Sequence, residues 1–118
     1  MINGKVAKED VHYAKKLITS ISQFDKHCTN SLDCIAIPVG AKTCGGPSDY
    51  IVYSKLSTYA DQIEKLATLT NQLEQEYNKE NPENGPCSVI GAPTITCSFN
   101  NCQRTSFLYA IMYPIGRS

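Results

Sequence analysis

Six cysteines in a chain of 118 residues, at positions 28, 34, 44, 87, 97 and 102, restrict the fold more than any other feature. An even number in so short a chain suits a disulfide framework laid down in an oxidising compartment. The rival use is metal binding, which normally shows tightly spaced cysteine pairs with histidine support. Here the close pairs are Cys28-x5-Cys34 and Cys97-x4-Cys102, and the two histidines are His12 and His27. The expectation is three disulfides and no metal site. The order of elements favours a Cys44–Cys87 bridge and leaves the other pairings open.

Paired cysteines imply a secreted or periplasmic protein. The N-terminal "MINGKVAKED" has no apolar core of a signal peptide, so an export signal is expected to have been removed. The longest apolar run, "FLYAIMY", is too short to cross a membrane. Eleven basic residues balance eleven acidic ones, so no overall field draws the chain to nucleic acid, and none is expected as a partner.

Length and periodicity together predict one α+β domain over residues 1–118: two amphipathic helices packed on a small antiparallel sheet. The first helix is expected from Glu9 to Lys26, with Val11, Ala14, Leu17, Ile18, Ile21 and Phe24 on one face. A second is expected from Thr58 to Lys79, with Tyr59, Ile63, Leu66, Ala67, Thr70, Leu73 and Tyr77 on its stripe. Thr58 and Asp61 have the spacing of a capping box. Glu64, Glu74, Glu76 and Glu80 read as a solvated outer face. "DCIAIPVG" reads as an edge strand or one that ends at Pro38, and "YIVYS" as another short strand or the start of a helix. After Cys87 two strands flank Asn100-Asn101, a pair that tolerates the left-handed conformations of a tight hairpin. The second of these strands, "QRTSFLYAIMY" from Gln103 to Tyr113, is mostly apolar on both faces and reads as central and covered by a helix.

Catalytic signatures are missing. His27 adjoins Cys28, but sequence neighbours do not face each other on a helix, and no cysteine is left over as a nucleophile. There is no G-x-S-x-G elbow and no phosphate-binding glycine pattern, so no cofactor is expected. Asp33, Asp49 and Asp61 are carboxylates that would have to converge in the fold to act as a hydrolase pair. The segment "KTCGGPSDYIVYS" carries the strongest binding signal. Gly45 and Gly46 free the backbone for positive φ, Pro47 fixes the exit, and a bridge at Cys44 would pin the turn. The expected binding residues are Gly45, Gly46, Ser48, Asp49 and Tyr50, a rigid recognition loop for a protein or glycan partner. The alternatives are a small extracellular hydrolase using carboxylates in a cleft, or a structural component of an envelope assembly.

Cys28, Cys34, "PVGAKTCGGP", Tyr50, Tyr53-Ser54, Cys87, Pro93, Cys97 and Cys102 give the chain its most distinctive order. That order resembles a group of small, cysteine-rich, exported bacterial proteins with a Cys-Gly-Gly-Pro motif. The likeness covers Cys28 to Gln103. It implies export through the periplasm or onward, and the lysine- and asparagine-rich character is compatible with a type II secretion substrate and a role in virulence. No activity comes with the resemblance, so no site residue is carried over from it.

Overall fold

A computed structural model describes residues 4–82 and 87–105. Residues 106–113, the greater part of the strand expected from Gln103 to Tyr113, lie outside the described residues. The rest forms an α+β arrangement of two helices, two antiparallel ribbons and three disulfides.

Helix α1 spans Lys8–Ser22 and buries Val11, Ala14 and Ile18 at the expected three- and four-residue steps. The Asp10 carboxylate accepts the Ala7 N–H at 2.8 Å, the reach-back half of a capping box. The helix ends at Ser22, short of the expected Lys26, because the chain is drawn away into β pairing. The Cys28 N–H donates to the Asn100 carbonyl at 3.0 Å, and the Cys102 N–H donates to the Lys26 carbonyl at 2.9 Å. Phe24 therefore leaves the buried stripe. It is 68% exposed and rests against the Tyr59 ring, with centroids 5.7 Å apart.

Strands β1 (Cys34–Val39) and β2 (Asp49–Ser54) pair antiparallel, from Cys34 opposite Ser54 to Val39 opposite Asp49. Both are edges, so Pro38 is accommodated without an unpaired central position. Side chains alternate across this ribbon, and both faces are covered. Ile35, Ile37, Val39, Ile51 and Tyr53 face a core completed by Ile18, Ile63 and Ala67 of the two helices. Cys34, Ala36 and Val52 face the second ribbon, where they meet Cys28, Ile95, Cys97 and Cys102.

Helix α2 spans Ala60–Glu80 and buries Ile63, Ala67 and Thr70. The Thr70 hydroxyl donates to the Leu66 carbonyl at 2.6 Å, which lets a polar residue sit in the core. The expected Thr58–Asp61 capping box does not form, and no side chain caps the helix at Tyr59. Buried Ser57 occupies the entry turn instead, its hydroxyl accepting the Tyr59 N–H at 3.0 Å.

Strands β3 (Ile95–Ser98) and β4 (Asn101–Arg104) make a two-residue hairpin. Its turn is Phe99-Asn100, with φ of 53° and 60°, rather than the expected Asn100-Asn101. Asn101 is held in the ladder opposite Ser98, and it also bridges to His27. That shift puts Cys97 and Cys102 directly opposite each other on one face. From there they reach Cys28 and Cys34, forming Cys28–Cys97 and Cys34–Cys102.

Candidate binding loop and the polar clamp beneath it

Between β1 and β2 the chain makes a loop, residues 40–48, that holds most of the expected site. Gly45 and Gly46 have φ of 106° and 81°, the left-handed region where glycine is free and other residues are strained. The turn closes on itself: the Gly45 N–H donates to the Lys42 carbonyl at 3.0 Å and the Lys42 N–H to the Gly46 carbonyl at 2.9 Å. No atom lies within 4 Å of where a side chain on either glycine would begin, so the apex stands open. The expected Cys44–Cys87 bridge is present and ties this apex to the segment after α2.

The loop is rigid for a reason that the sequence hides. Asn71, Glu74 and Asn78 form a polar stripe on α2, at helical spacing. The Asn71 side-chain oxygen accepts the Gly40 N–H at 2.6 Å. Glu74 Oε1 accepts the Ala41 N–H at 2.8 Å and the Ser48 hydroxyl at 2.7 Å, while Oε2 takes the Lys15 ammonium at 2.9 Å. Asn78 donates to the Ala41 carbonyl at 2.8 Å. Glu74 is thus no part of a solvated face; its side chain is 15% exposed and joins α1, α2 and both ends of the loop. Burial opposes its ionisation, but hydrogen bonds from Lys15, Ser48 and Ala41, with the Lys15 charge, outweigh that and hold the carboxyl below its usual range. Gly40 has φ of 77°, and a Cβ there would fall 1.9 Å from Ser48 Oγ and 2.5 Å from Glu74 Oε1. The clamp closes only because residue 40 has no side chain.

Of the five expected binding residues, Gly45 and Gly46 form the displayed apex. Ser48 turns inward and belongs to the clamp, donating to Glu74. Asp49 and Tyr50 lie at the start of β2 and are tied to Arg104 of β4. Arg104 stands 3.7 Å from the exposed Asp49 carboxylate, and its guanidinium donates to the Tyr50 carbonyl. An exposed pair of this kind contributes little by itself. Its consequence is positional: the loop exit is braced against the hairpin.

Of the carboxylates weighed for hydrolysis, Asp33 and Asp49 do not meet, and Asp61 lies exposed in the first turn of α2. Asp33 precedes β1 at one end of the ribbon and Asp49 opens β2 at the other, so the whole length of β1, about 17 Å at the usual rise per strand residue, lies between them. Asp33 accepts the Thr29 N–H and hydroxyl at 2.8 and 2.7 Å and the Asn30 N–H at 3.3 Å. The two Thr29 bonds dominate and lower its pKa. Glu64 likewise has a structural bond, accepting the Tyr53 hydroxyl at 2.8 Å. Burial first, then this bond and the Glu64 charge, raise the phenol pKa. The sulfurs of Cys28, Cys34 and Cys102 come within 4.8 Å of one another where two bridges stack, and all six cysteines are paired, so no thiolate is left to ligate.

Beside the loop lies a cleft of about 310 Å3 between α1, residues 41–43 and the C-terminal half of α2. Lys8, His12, Lys15 and Lys42 line it, with Glu74 as the single carboxylate. Among the described residues no helix is long and apolar enough to cross a membrane. No family model, curated protein or solved structure matches the chain.

Proposed function

We propose that the protein is an exported, non-enzymatic binding module that presents the Gly45-Gly46 apex, with Asp49 and Tyr50 at the loop exit, to a protein or glycan partner, a bacterial effector being the finer form of that reading. One observation carries it: an open Gly45-Gly46 apex is tied down by a disulfide on one side and by the Glu74 hydrogen bonds on the other. A surface loop normally loses conformational freedom on binding, and one fixed beforehand avoids that cost. Rigidity that serves no packed core is the feature in need of a function. Three disulfides support an oxidising compartment, periplasmic or extracellular, as the place of action. The hydrolase alternative has less support, since Asp33 and Asp49 sit at opposite ends of the ribbon.

The test is capture of partners from host and envelope extracts by the oxidised protein and by two variants. Gly46→Asn adds a side chain at the apex in a residue type that tolerates positive φ. Tyr50→Ala removes the aromatic at the loop exit. Loss of capture with the melting temperature within about 3 °C of the parent, a shift below 1 kcal/mol, supports the reading. Undiminished capture by both variants removes it.

A further inference from the structure

The cleft beside the loop has a local charge imbalance. The chain as a whole is neutral, yet three lysines and a histidine line this one cavity against a single carboxylate. That carboxylate is already engaged by Lys15, Ser48 and the Ala41 N–H. Lys42 donates to the Ser88 carbonyl, a neutral acceptor that leaves its charge uncompensated. Lys8 and His12 are exposed and have no hydrogen-bond or ion-pair partner among the described residues. The excess positive charge therefore sits on Lys42, held at the Ser88 carbonyl, and on the unpartnered Lys8, with the exposed His12 imidazole beside them.

The remaining wall narrows the ligand class. Tyr77 offers a half-buried aromatic surface, and Thr43 and Asn78 add a hydroxyl and an amide beside the cations. A volume of about 310 Å3 is at the small end of ligand pockets, enough for one ring and its substituents. Cations for an oxyanion, an aromatic wall for a ring and short polar groups for hydroxyls together match an acidic sugar.

We propose that this cleft binds an acidic saccharide unit, with Lys8, His12 and Lys42 on its carboxylate, sulfate or phosphate group and Tyr77 against the ring. The proposal rests on the binding-module reading and deepens its glycan branch. Lys42 and Thr43 link the cleft to the displayed loop, so a glycan seated in one would run across the other.

The experiment is calorimetric titration of the oxidised protein with four probes: a uronic-acid oligosaccharide, a sulfated one, a neutral one of equal length, and inorganic phosphate. Binding of at least one acidic oligosaccharide is expected, tenfold or more tighter than the neutral one and weakening as salt is raised. The Lys8→Gln, His12→Gln double variant should bind that ligand at least tenfold more weakly with an unchanged melt, since both side chains are exposed and unpartnered. Equal binding of the neutral sugar, phosphate binding as tight as the saccharide, no acidic binding, or an unaffected double variant each overturns the proposal. The Gly46→Asn variant separates the two readings. Loss of partner capture in Gly46→Asn, with the cleft variant unaffected, leaves the loop standing and removes the cleft.

Discussion

The two ends of the β1–β2 ribbon are both closed by disulfides, yet they are held by different physics. At the Cys34 end, two bridges stack inside an apolar cluster, and Cys28, Cys34 and Cys102 are all buried. At the Val39 end, the Cys44–Cys87 bridge is exposed and the order comes from a hydrogen-bonded carboxylate below it. Covalent closure in a dry setting makes a permanent anchor. A polar clamp beneath an open apex makes a displayed surface that depends on the charge state of one glutamate. The contrast puts the buried architectural bridges at one end of the ribbon and the loop proposed for binding at the other.

The largest effect should come from removing bridges. Cys34→Ala with Cys102→Ala is expected to lower unfolding free energy by about 4 kcal/mol, mainly by freeing the unfolded chain. Cys44→Ala with Cys87→Ala should cost nearly as much on that basis, because loop entropy changes slowly between sequence separations of 68 and 43. The difference should appear in access. Under limiting reductant, alkylation and peptide mapping should find Cys44 and Cys87 labelled well before the buried pairs. Simultaneous labelling would erase the contrast between the two ends.

Two glycines sharpen it at the next level. Gly40→Ala should destabilise by about 3 kcal/mol in urea unfolding, combining left-handed strain with a clash into Ser48 and Glu74. Gly45→Ala meets nothing and should lose only about 1 kcal/mol from its backbone. Equal losses would show that the clamp does not need its close approach at residue 40.

Below the Gly40 effect comes an electrostatic one. Glu74→Gln should cost about 2 kcal/mol at neutral pH, the scale of hydrogen bonds to a charged group. The folded pKa of Glu74 is depressed, so its contribution is complete above the ordinary value of 4.5 and fades as pH falls through the folded value. Urea midpoints measured from pH 7 downward should therefore fall less steeply for the variant than for the parent. Some slope will remain, because Asp33 is shifted in the same direction. Identical slopes would mean that Glu74 is not the ionised centre of the clamp.

How far these features could be read in advance depends on their range. The two helical stripes were legible because burial repeats with the period of the backbone. The displayed apex was legible because adjacent glycines and a proline have local conformational meaning. The Cys44–Cys87 bridge followed from element order. The end of α1 was not legible: what stops it is pairing with Asn100 and Cys102, far along the chain. Glu74 was misread as solvated for the same reason, since its partners Ala41, Ser48 and Lys15 come from two other segments. Arg104 carried no local signal at all.

From residue order alone came the α+β class, the disulfide-bonded character and the place where the chain turns through Gly45 and Gly46. These are matters of periodicity, sulfur count and backbone freedom, each contained within a few residues. Tertiary structure alone decided that Glu74 holds the loop, that Ser48 faces inward and that Lys8, His12 and Lys42 share a cleft. Such facts depend on which segments meet, and the charges and donors of one stretch acquire their roles only from the groups another stretch brings beside them.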